Sequence, residues 1–257
     1  MTNTEISNRD PDGRVTSNIA RRHPWLRLAE RAASWALSLV LVLLLVIVVF
    51  RLMNPPITPV ILAEKLRGKT IGPSHWVRLE DISRELPLAV LAVEDSGFCN
   101  HWGVNWREVW NAIEESAQPG KRRFHHPRGA STIPMQTVKK LYLWDDRSYL
   151  RKALEVPAVL MSSALWPKQV VLETYLNILP WGPGIVGAEA ASQRYFGKGA
   201  GKLTRREAAR LAAAVRCPNY RICNPAKPGP KPLSRARKIE RDIPYVDSSC
   251  LSLRRSW

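Results

Sequence analysis

An uncharged apolar segment near the N-terminus constrains this chain more than any other feature. Residues 32–50, AASWALSLVLVLLLVIVVF, contain no charged side chain and are followed directly by Arg51. A helix of this length extends roughly 28 Å, the thickness of the hydrocarbon core of a bilayer. A cleaved signal peptide has a shorter apolar core followed by a small-residue cleavage site, whereas RLMNPPITPV follows here. The segment therefore predicts one uncleaved transmembrane helix over 32–50.

The charges around this segment predict its orientation. Six arginines precede it against four acidic residues, and these are Arg9, Arg14, Arg21, Arg22, Arg27 and Arg31. By the positive-inside rule, residues 1–31 form a cytoplasmic segment and everything after residue 51 lies outside the cytoplasm. The net charge of +17 favours an anionic partner, such as nucleic acid, phospholipid or a phosphorylated substrate. The extracytoplasmic placement counts against nucleic acid.

The rest of the chain reads as one helical domain. A proline-containing linker is predicted over 51–74, and helical periodicity with short breaks begins at about residue 80. Interruptions are expected near Pro157 and Pro167. A later helix opens with Thr204 and Glu207 at the spacing of a capping box, and strand alternation is weak throughout. The C-terminal part, 226–257, is predicted to be a Pro-rich and polar tail.

The cysteines of the predicted extracytoplasmic region do not have the spacing of a zinc site. They are Cys99, Cys217, Cys223 and Cys250, with neither a C-x-x-C pair nor a paired H-x-x-x-H. An oxidising compartment allows disulfides. A bridge between Cys217 and Cys223 and a pair of free thiols are both compatible with the sequence.

Two adjacent carboxylates follow an apolar run at an unusual position. In AVEDSGFCNHWGVNW, residues 92–106, Glu94 and Asp95 come directly after PLAVLAV. Glu94 is either an ordinary surface carboxylate ending a helix or a base in a partly desolvated cleft. Asp95 is expected to order the turn through backbone hydrogen bonds, and His101 to support the loop rather than transfer protons.

Positive charge and polar groups are concentrated between residues 118 and 155. Nine basic side chains stand against three acidic ones over 121–155, and Arg147, Arg151 and Glu155 recur at i, i+4 and i+8 on one helix face. The two guanidiniums could offer forked donors to a phosphate, or the face could be a solvated salt-bridge stripe. The polar residues after Gly129 could hold sugar or phosphate oxygens, or cap a helix, and these are Ser131, Thr132 and Gln136.

Taken together and in order, these segments resemble the peptidoglycan glycosyltransferases, in particular the monofunctional membrane-anchored biosynthetic transglycosylases of glycosyltransferase family 51. The matching segments are EDSGFCNHWG, GASTIPMQTVKKL, RKALE, LETYLN and GPGIVGAEAASQRYFGK, within roughly residues 75–225. The chain departs from the family pattern at Met135, Lys140 and the Trp166-Pro167-Lys168 triplet. The tail DIPYVDSSCLSLRRSW is also atypical of the family.

The resemblance implies a mainly α, lysozyme-like glycosyltransferase domain over 75–225 on one N-terminal transmembrane helix. It implies polymerisation of lipid II, in which the sugar 4-hydroxyl of lipid II attacks the growing glycan on its undecaprenyl-pyrophosphate carrier and forms a β-1,4 link. Glu94 is the implied base, and Glu155 assists the leaving pyrophosphate. The implied substrate-binding residues are Ser131, Thr132, Gln136, Lys139, Arg147, Arg151 and Lys152.

The resemblance also implies a setting in the cell. The chain is expected in a bacterial inner membrane with its catalytic domain in the periplasm, acting in cell wall biogenesis and the maintenance of cell shape. Its expected partners are lipid II, the glycan strand and the membrane, with other cell-wall synthesis or division proteins as further candidates and no nucleic acid. The sequence requires no cofactor, and a divalent cation, Mg²⁺ or Mn²⁺, is left open.

Two other functions remain compatible with the sequence. A lytic transglycosylase or lysozyme-like hydrolase would use Glu94 as an acid but has no need for the cationic run over 121–155. A membrane-tethered scaffold with weakened catalysis is suggested by Met135, Lys140 and the atypical tail.

Overall fold

The computed structural model describes residues 24–52, 62, 65–66, 75–117, 131–143, 149–215, 217 and 222–253. The chain divides into two compact units, Met1–Leu45 and Val46–Trp257. Helix α1, Pro24–Leu52, begins in the first unit. Within Trp25–Leu52, a stretch of 18 residues has a mean hydropathy of 2.9 and is only 6% buried, so the helix is long and apolar enough to cross a membrane. The predicted segment 32–50 lies inside this helix.

The described part of the second unit is mainly helical, as predicted. Its helices are α2 (Glu85–Glu94), α3 (Trp106–Ala117), α4 (Ile133–Tyr142), α5 (Tyr149–Leu165), α6 (Lys168–Ile178), α7 (Ala188–Phe196), α8 (Arg205–Val215) and α9 (Pro230–Asp242). The short strands β1 (Pro180–Gly182) and β2 (Ile185–Val186) form an antiparallel pair between α6 and α7. Single 3-10 turns lie at Leu79–Asp81, Phe98–Asn100, Ala200–Lys202 and Ile243–Tyr245.

Two groups of helices form the core of this unit. Helix α2 packs against α8 and α9, and helix α4 packs against α5 and α6. Helix α2 is apolar on nearly every side and is buried along most of its length, which is typical of a central core helix. Helix α8 presents a buried stripe of alanines, and these small side chains let α2 approach closely. Contacts between the end of α2 and the start of α4 join the two groups.

The helix boundaries confirm part of the sequence analysis and correct one point. Helix α6 begins at Lys168, directly after Pro167, as expected. Helix α5, by contrast, continues through Pro157, which lies on an exposed face where the missing backbone N–H is tolerated more easily. The capping box of α8 is present: the backbone N–H of Thr204 donates to Glu207 Oε2 at 2.8 Å, and the Glu207 N–H donates to Thr204 Oγ1 at 3.4 Å.

The C-terminal region contains a helix that the sequence analysis does not predict. Helix α9 buries Ala236 and Ile239 and packs on α8 and α2. Beyond it, a disulfide joins Cys250 to Cys99, a pair 151 residues apart. Cys217 and Cys223 form a second disulfide, which decides between the two alternatives that their spacing leaves open.

The atypical Trp166 also has a structural role in this unit. It is 4% exposed, and its indole N–H donates to the carbonyl oxygen of Ile47 at 3.0 Å. Close by, Arg51 Nη1 donates to the carbonyl oxygen of Leu165 at 2.9 Å. Residues 46–52 and the end of α5 are thus joined by two side-chain hydrogen bonds, and Arg51 satisfies the carbonyl oxygen of the last residue of α5.

Candidate active site

Glu94 is the last residue of α2, and the apolar helix carries it into the protein interior. The residue is 6% exposed. Gln136 on α4 donates from Nε2 to Glu94 Oε2 at 2.9 Å and to the carbonyl oxygen of Ser131 at 3.3 Å. Of the two alternatives that the sequence leaves for Glu94, an exposed carboxylate and a carboxylate in a partly desolvated cleft, the structure agrees with the second. A general base must be held in a fixed orientation, and the Gln136 amide orients this carboxylate.

Asp95, the next residue, has different partners. Its Oδ2 accepts the backbone N–H of Ile133 at 2.9 Å, in the first turn of α4. The Nε2 atom of His101 lies 3.0 Å from Oδ1 and 3.1 Å from Oδ2. Asp95 therefore closes the loop 95–101 and fastens it to α4. The structural roles expected for Asp95 and His101 agree with these contacts, although the backbone partner lies on a different helix rather than in the turn.

Lys168, the first residue of α6, holds the same loop from another side. Its Nζ donates to the carbonyl oxygen of His101 at 2.7 Å and lies 4.5 Å from the centroid of the Phe98 ring. Burial lowers the pKa of Lys168 from 10.5 to about 8, while the nearby Asp95 carboxylate acts in the opposite direction. The ammonium thus contributes a charge-assisted hydrogen bond and a cation–π contact to the loop that follows Glu94.

The start of α4 is fixed by a threonine cap. Thr132 is buried, accepts the backbone N–H of Met135 at 3.4 Å and donates its hydroxyl to the carbonyl oxygen of Gly103. Gly103 has φ +86°, and a Cβ there would lie 2.8 Å from Val159 Cγ1, so the position requires glycine. Of the two roles that the sequence leaves open for the polar residues after Gly129, Thr132 has that of a helix cap. Ser131 is half-buried beside it.

Arg151 and Glu155 form an ion pair inside the protein. The Nη1 atom of Arg151 lies 3.0 Å from Glu155 Oε2 at i,i+4 spacing on α5, and the side chains are 11% and 8% exposed. The alternative of a solvated salt-bridge stripe is therefore wrong for this pair. Of the other cationic residues predicted to bind substrate, Lys139 is half-buried on α4. The side chains of Arg147 and Lys152, and residues 118–130 with their four basic side chains, lie outside the part of the chain that the structure describes.

The divalent cation that the sequence leaves open has no ready-made ligand set in the described part of the chain. Among the described residues, no three or more His, Cys, Asp or Glu side chains are grouped as ligands for a metal ion. The carboxylates predicted to be catalytic, Glu94 and Glu155, instead contact Gln136 and Arg151. A role for Mg²⁺ or Mn²⁺ stays a prediction.

Sequence reasoning missed two polar side chains that contact this site, Lys168 and Tyr175. The hydroxyl of Tyr175 donates to Gln136 Oε1 at 2.9 Å, and the tyrosine is fully buried. Both residues lie on α6 at i and i+7, so they share a helix face. A polar pair at this spacing on a largely apolar helix is a signal that could have identified them, because buried polar groups need hydrogen-bond partners.

Comparisons with known proteins identify the family of this chain. The profile of the family described as Transglycosylase matches residues 65–241. A curated biosynthetic peptidoglycan transglycosylase of Rhodospirillum centenum is 41% identical over 220 residues, covering 86% of this chain and 92% of the relative. Relatives with the same description are 42% identical in Pasteurella multocida, covering 85% and 88%, and 42% identical in Shewanella oneidensis, covering 78% and 88%. The chain belongs to the transglycosylase family.

Proposed function

We propose that this chain builds peptidoglycan by polymerising lipid II, with Glu94 as the general base. The chain is a peptidoglycan glycosyltransferase of the biosynthetic type, a function supported by relatives that are named as biosynthetic transglycosylases. The observation that carries the assignment of the base is the buried carboxylate of Glu94, held by Gln136 at the end of an apolar helix.

The proposed reaction is one displacement at an anomeric carbon. Glu94 accepts the proton of the 4-hydroxyl of lipid II as that oxygen forms a bond to C1 of the growing glycan. The bond between C1 and the undecaprenyl pyrophosphate breaks, its electron pair leaves with the pyrophosphate oxygen, and the configuration inverts to give a β-1,4 link. Catalysis then requires a base at the acceptor and positive charge at the leaving group.

The basic face of α5 is proposed to stabilise the departing pyrophosphate. Arg151 presents a planar donor group whose orientation is fixed by Glu155, and a guanidinium held in this way loses little conformational entropy when it binds phosphate. Glu155 thus assists the leaving group through Arg151. We assign the same electrostatic role to Lys139, Arg147 and Lys152.

The segment before α4 is proposed to contact sugar or phosphate oxygens. Ser131 and Gln136 lie beside Glu94 and are half-buried, so each can reach both the protein and a bound substrate. Thr132 is assigned to the same surface, with its hydroxyl committed to Gly103 and its contribution made by positioning α4.

The test of the base is Glu94→Gln, assayed by the lengthening of glycan strands from purified lipid II. This change removes proton acceptance and nearly preserves shape, so turnover is expected to fall by about 10²- to 10⁴-fold while lipid II binding is retained. The matched control is Glu240→Gln on α9, which removes a carboxylate from a helix with no proposed role in the reaction. Near-normal polymerisation by Glu94→Gln would refute the assignment.

The position of the chain in the cell is also proposed. Helix α1 has the composition of a membrane span, and the arginines before it favour a cytoplasmic N-terminus, which leaves the catalytic unit on the outer side of a bacterial inner membrane. A reporter enzyme that is active only outside the cytoplasm, fused after residue 253, is expected to be active in cells. An inactive fusion, paired with an active cytoplasmic reporter at the same site, would contradict this orientation and the access to lipid II that it provides.

A further inference from the structure

We propose that Tyr175 is a positioning residue that acts on the general base through Gln136. The inference rests on the proposed role of Glu94 and goes beyond it, because it gives a catalytic consequence to a residue on a third helix. Three side chains from three helices form a series: Tyr175 donates to Gln136 Oε1 at 2.9 Å, and Gln136 Nε2 donates to Glu94 Oε2 at 2.9 Å.

The orientation of the Gln136 amide follows from the chemistry of its neighbours. Its nitrogen faces Glu94 Oε2 and the carbonyl oxygen of Ser131, which are both acceptors, so the two N–H groups must point to them. A rotated amide would place its oxygen against both of these oxygens. The remaining amide atom, Oε1, then needs a donor, and the Tyr175 hydroxyl provides one.

Tyr175 is suited to fix the amide because it cannot move away. It is fully buried on α6, within the packing of α6 against α4, so its ring has one available position. A donor at Oε1 also polarises the amide and strengthens the N–H bond to the carboxylate. The hydroxyl thereby holds the Glu94 carboxylate in one orientation through the Gln136 amide.

The test is Tyr175→Phe, which removes one oxygen atom and keeps the ring. Losing one neutral hydrogen bond is worth about 0.5–1.5 kcal/mol, so turnover of lipid II is expected to fall about 2- to 12-fold, with KM nearly unchanged. Turnover is measured per folded molecule over a range of lipid II concentrations, so that kcat and KM are obtained separately. A merely structural role would lower the folded fraction and leave the kcat of each folded molecule unchanged.

The matched control is Tyr195→Phe on α7. Tyr195 is half-buried, and its hydroxyl donates to the carbonyl oxygen of Trp181 at 3.1 Å, a bond that no proposed step uses. This variant is expected to lose some stability and to retain the wild-type turnover per folded molecule. If Tyr175→Phe and Tyr195→Phe give the same turnover per folded molecule, the positioning role is refuted.

A double-mutant cycle separates this inference from the function on which it rests. In a Gln136→Leu background, Tyr175→Phe is expected to change turnover less than about twofold, because the intermediate that transmits its effect is gone. If the double variant instead loses turnover by the product of the two single losses, Tyr175 acts without Gln136. That result would overturn the inference and leave the assignment of Glu94 as the base intact. Full activity of Glu94→Gln would instead overturn the assignment of the base itself.

Discussion

Arg151→Met is expected to destabilise the protein as well as to slow the reaction, and the structure gives the size of both effects. Methionine preserves most of the side-chain volume and removes the charge. Arg151 and Glu155 are 11% and 8% exposed at a separation of 3.0 Å, so the variant leaves the Glu155 carboxylate buried without this partner. An exposed ion pair contributes only about 0–1 kcal/mol to stability. The low exposure of Arg151 and Glu155 makes theirs a buried ion pair instead.

The magnitude follows from the distance. At 3.0 Å the attraction is about 5.5 kcal/mol for an effective dielectric constant of about 20, against about 1.4 kcal/mol in water. Removing one member of a buried pair typically costs about 3–5 kcal/mol, which agrees with the first value. In addition to this loss of stability, turnover per folded molecule is expected to fall by about ten- to a hundredfold, because a charge-assisted donor to the pyrophosphate is lost.

The assay measures both quantities on the full chain in a non-ionic detergent. Urea titration followed by tryptophan fluorescence gives the free energy of unfolding, and lipid II polymerisation is normalised to folded protein. Arg235→Met is the control, since Arg235 is an exposed arginine of α9 and its loss is expected to be nearly neutral in both measurements. A loss of stability below about 1 kcal/mol for Arg151→Met would show that solvent screens the pair and would refute the calculation.

Two further predictions concern the loop 95–101. Because burial lowers the pKa of Lys168 to about 8, the unfolded chain binds more protons than the folded one between pH 8 and 10.5, so the free energy of unfolding rises with pH there. Lys168→Met should lose this rise, about 1–2 kcal/mol after solvent screening, in urea titrations at two pH values; parallel curves for both proteins would contradict it. Cys250→Ser removes the disulfide to Cys99, which closes a far longer loop than Cys217–Cys223 does. It should therefore lower the free energy of unfolding by about 2–4 kcal/mol, and by more than Cys223→Ser does, in urea titrations of the oxidised proteins. Equal losses would be the contrary result.

Local patterns explain what can be predicted from the sequence. The candidate membrane-spanning helix can be recognised without knowledge of the fold, because its uncharged run is continuous in the sequence. The capping box at Thr204 and Glu207 can be recognised in the same way, because its atoms lie within one helical turn. The apolar run that continues directly into Glu94 makes burial of this carboxylate one of two alternatives, and only the fold decides between them. The pairing of Arg151 with Glu155 follows from i,i+4 spacing, although their depth in the protein does not.

Contacts between distant segments explain what the sequence does not reveal. Helix α9 has the composition of a polar tail because few of its residues are apolar, and it becomes part of the core only where α8 and α2 cover Ala236 and Ile239. The bridge from Cys99 to Cys250 joins positions 151 residues apart, and no spacing rule selects that partner. In the sequence, Lys168 is noticed only as part of the Trp166-Pro167-Lys168 triplet that departs from the family pattern. Its partner is the backbone carbonyl of His101, and a contact of this kind leaves no signal in the sequence.

The adjacent carboxylates Glu94 and Asp95 illustrate how one turn of chain separates a chemical role from a structural one. Both residues are buried at the end of α2, yet the backbone leaves the helix at Asp95, so the two side chains meet different parts of α4. Asp95 accepts a backbone N–H and lies against the ring of His101, so its charge holds the loop. Glu94 meets the amide of Gln136, a neutral partner that orients it. The contacts of Asp95 thus give it a structural role in the loop, whereas Gln136 holds Glu94, the proposed base, at the end of α2.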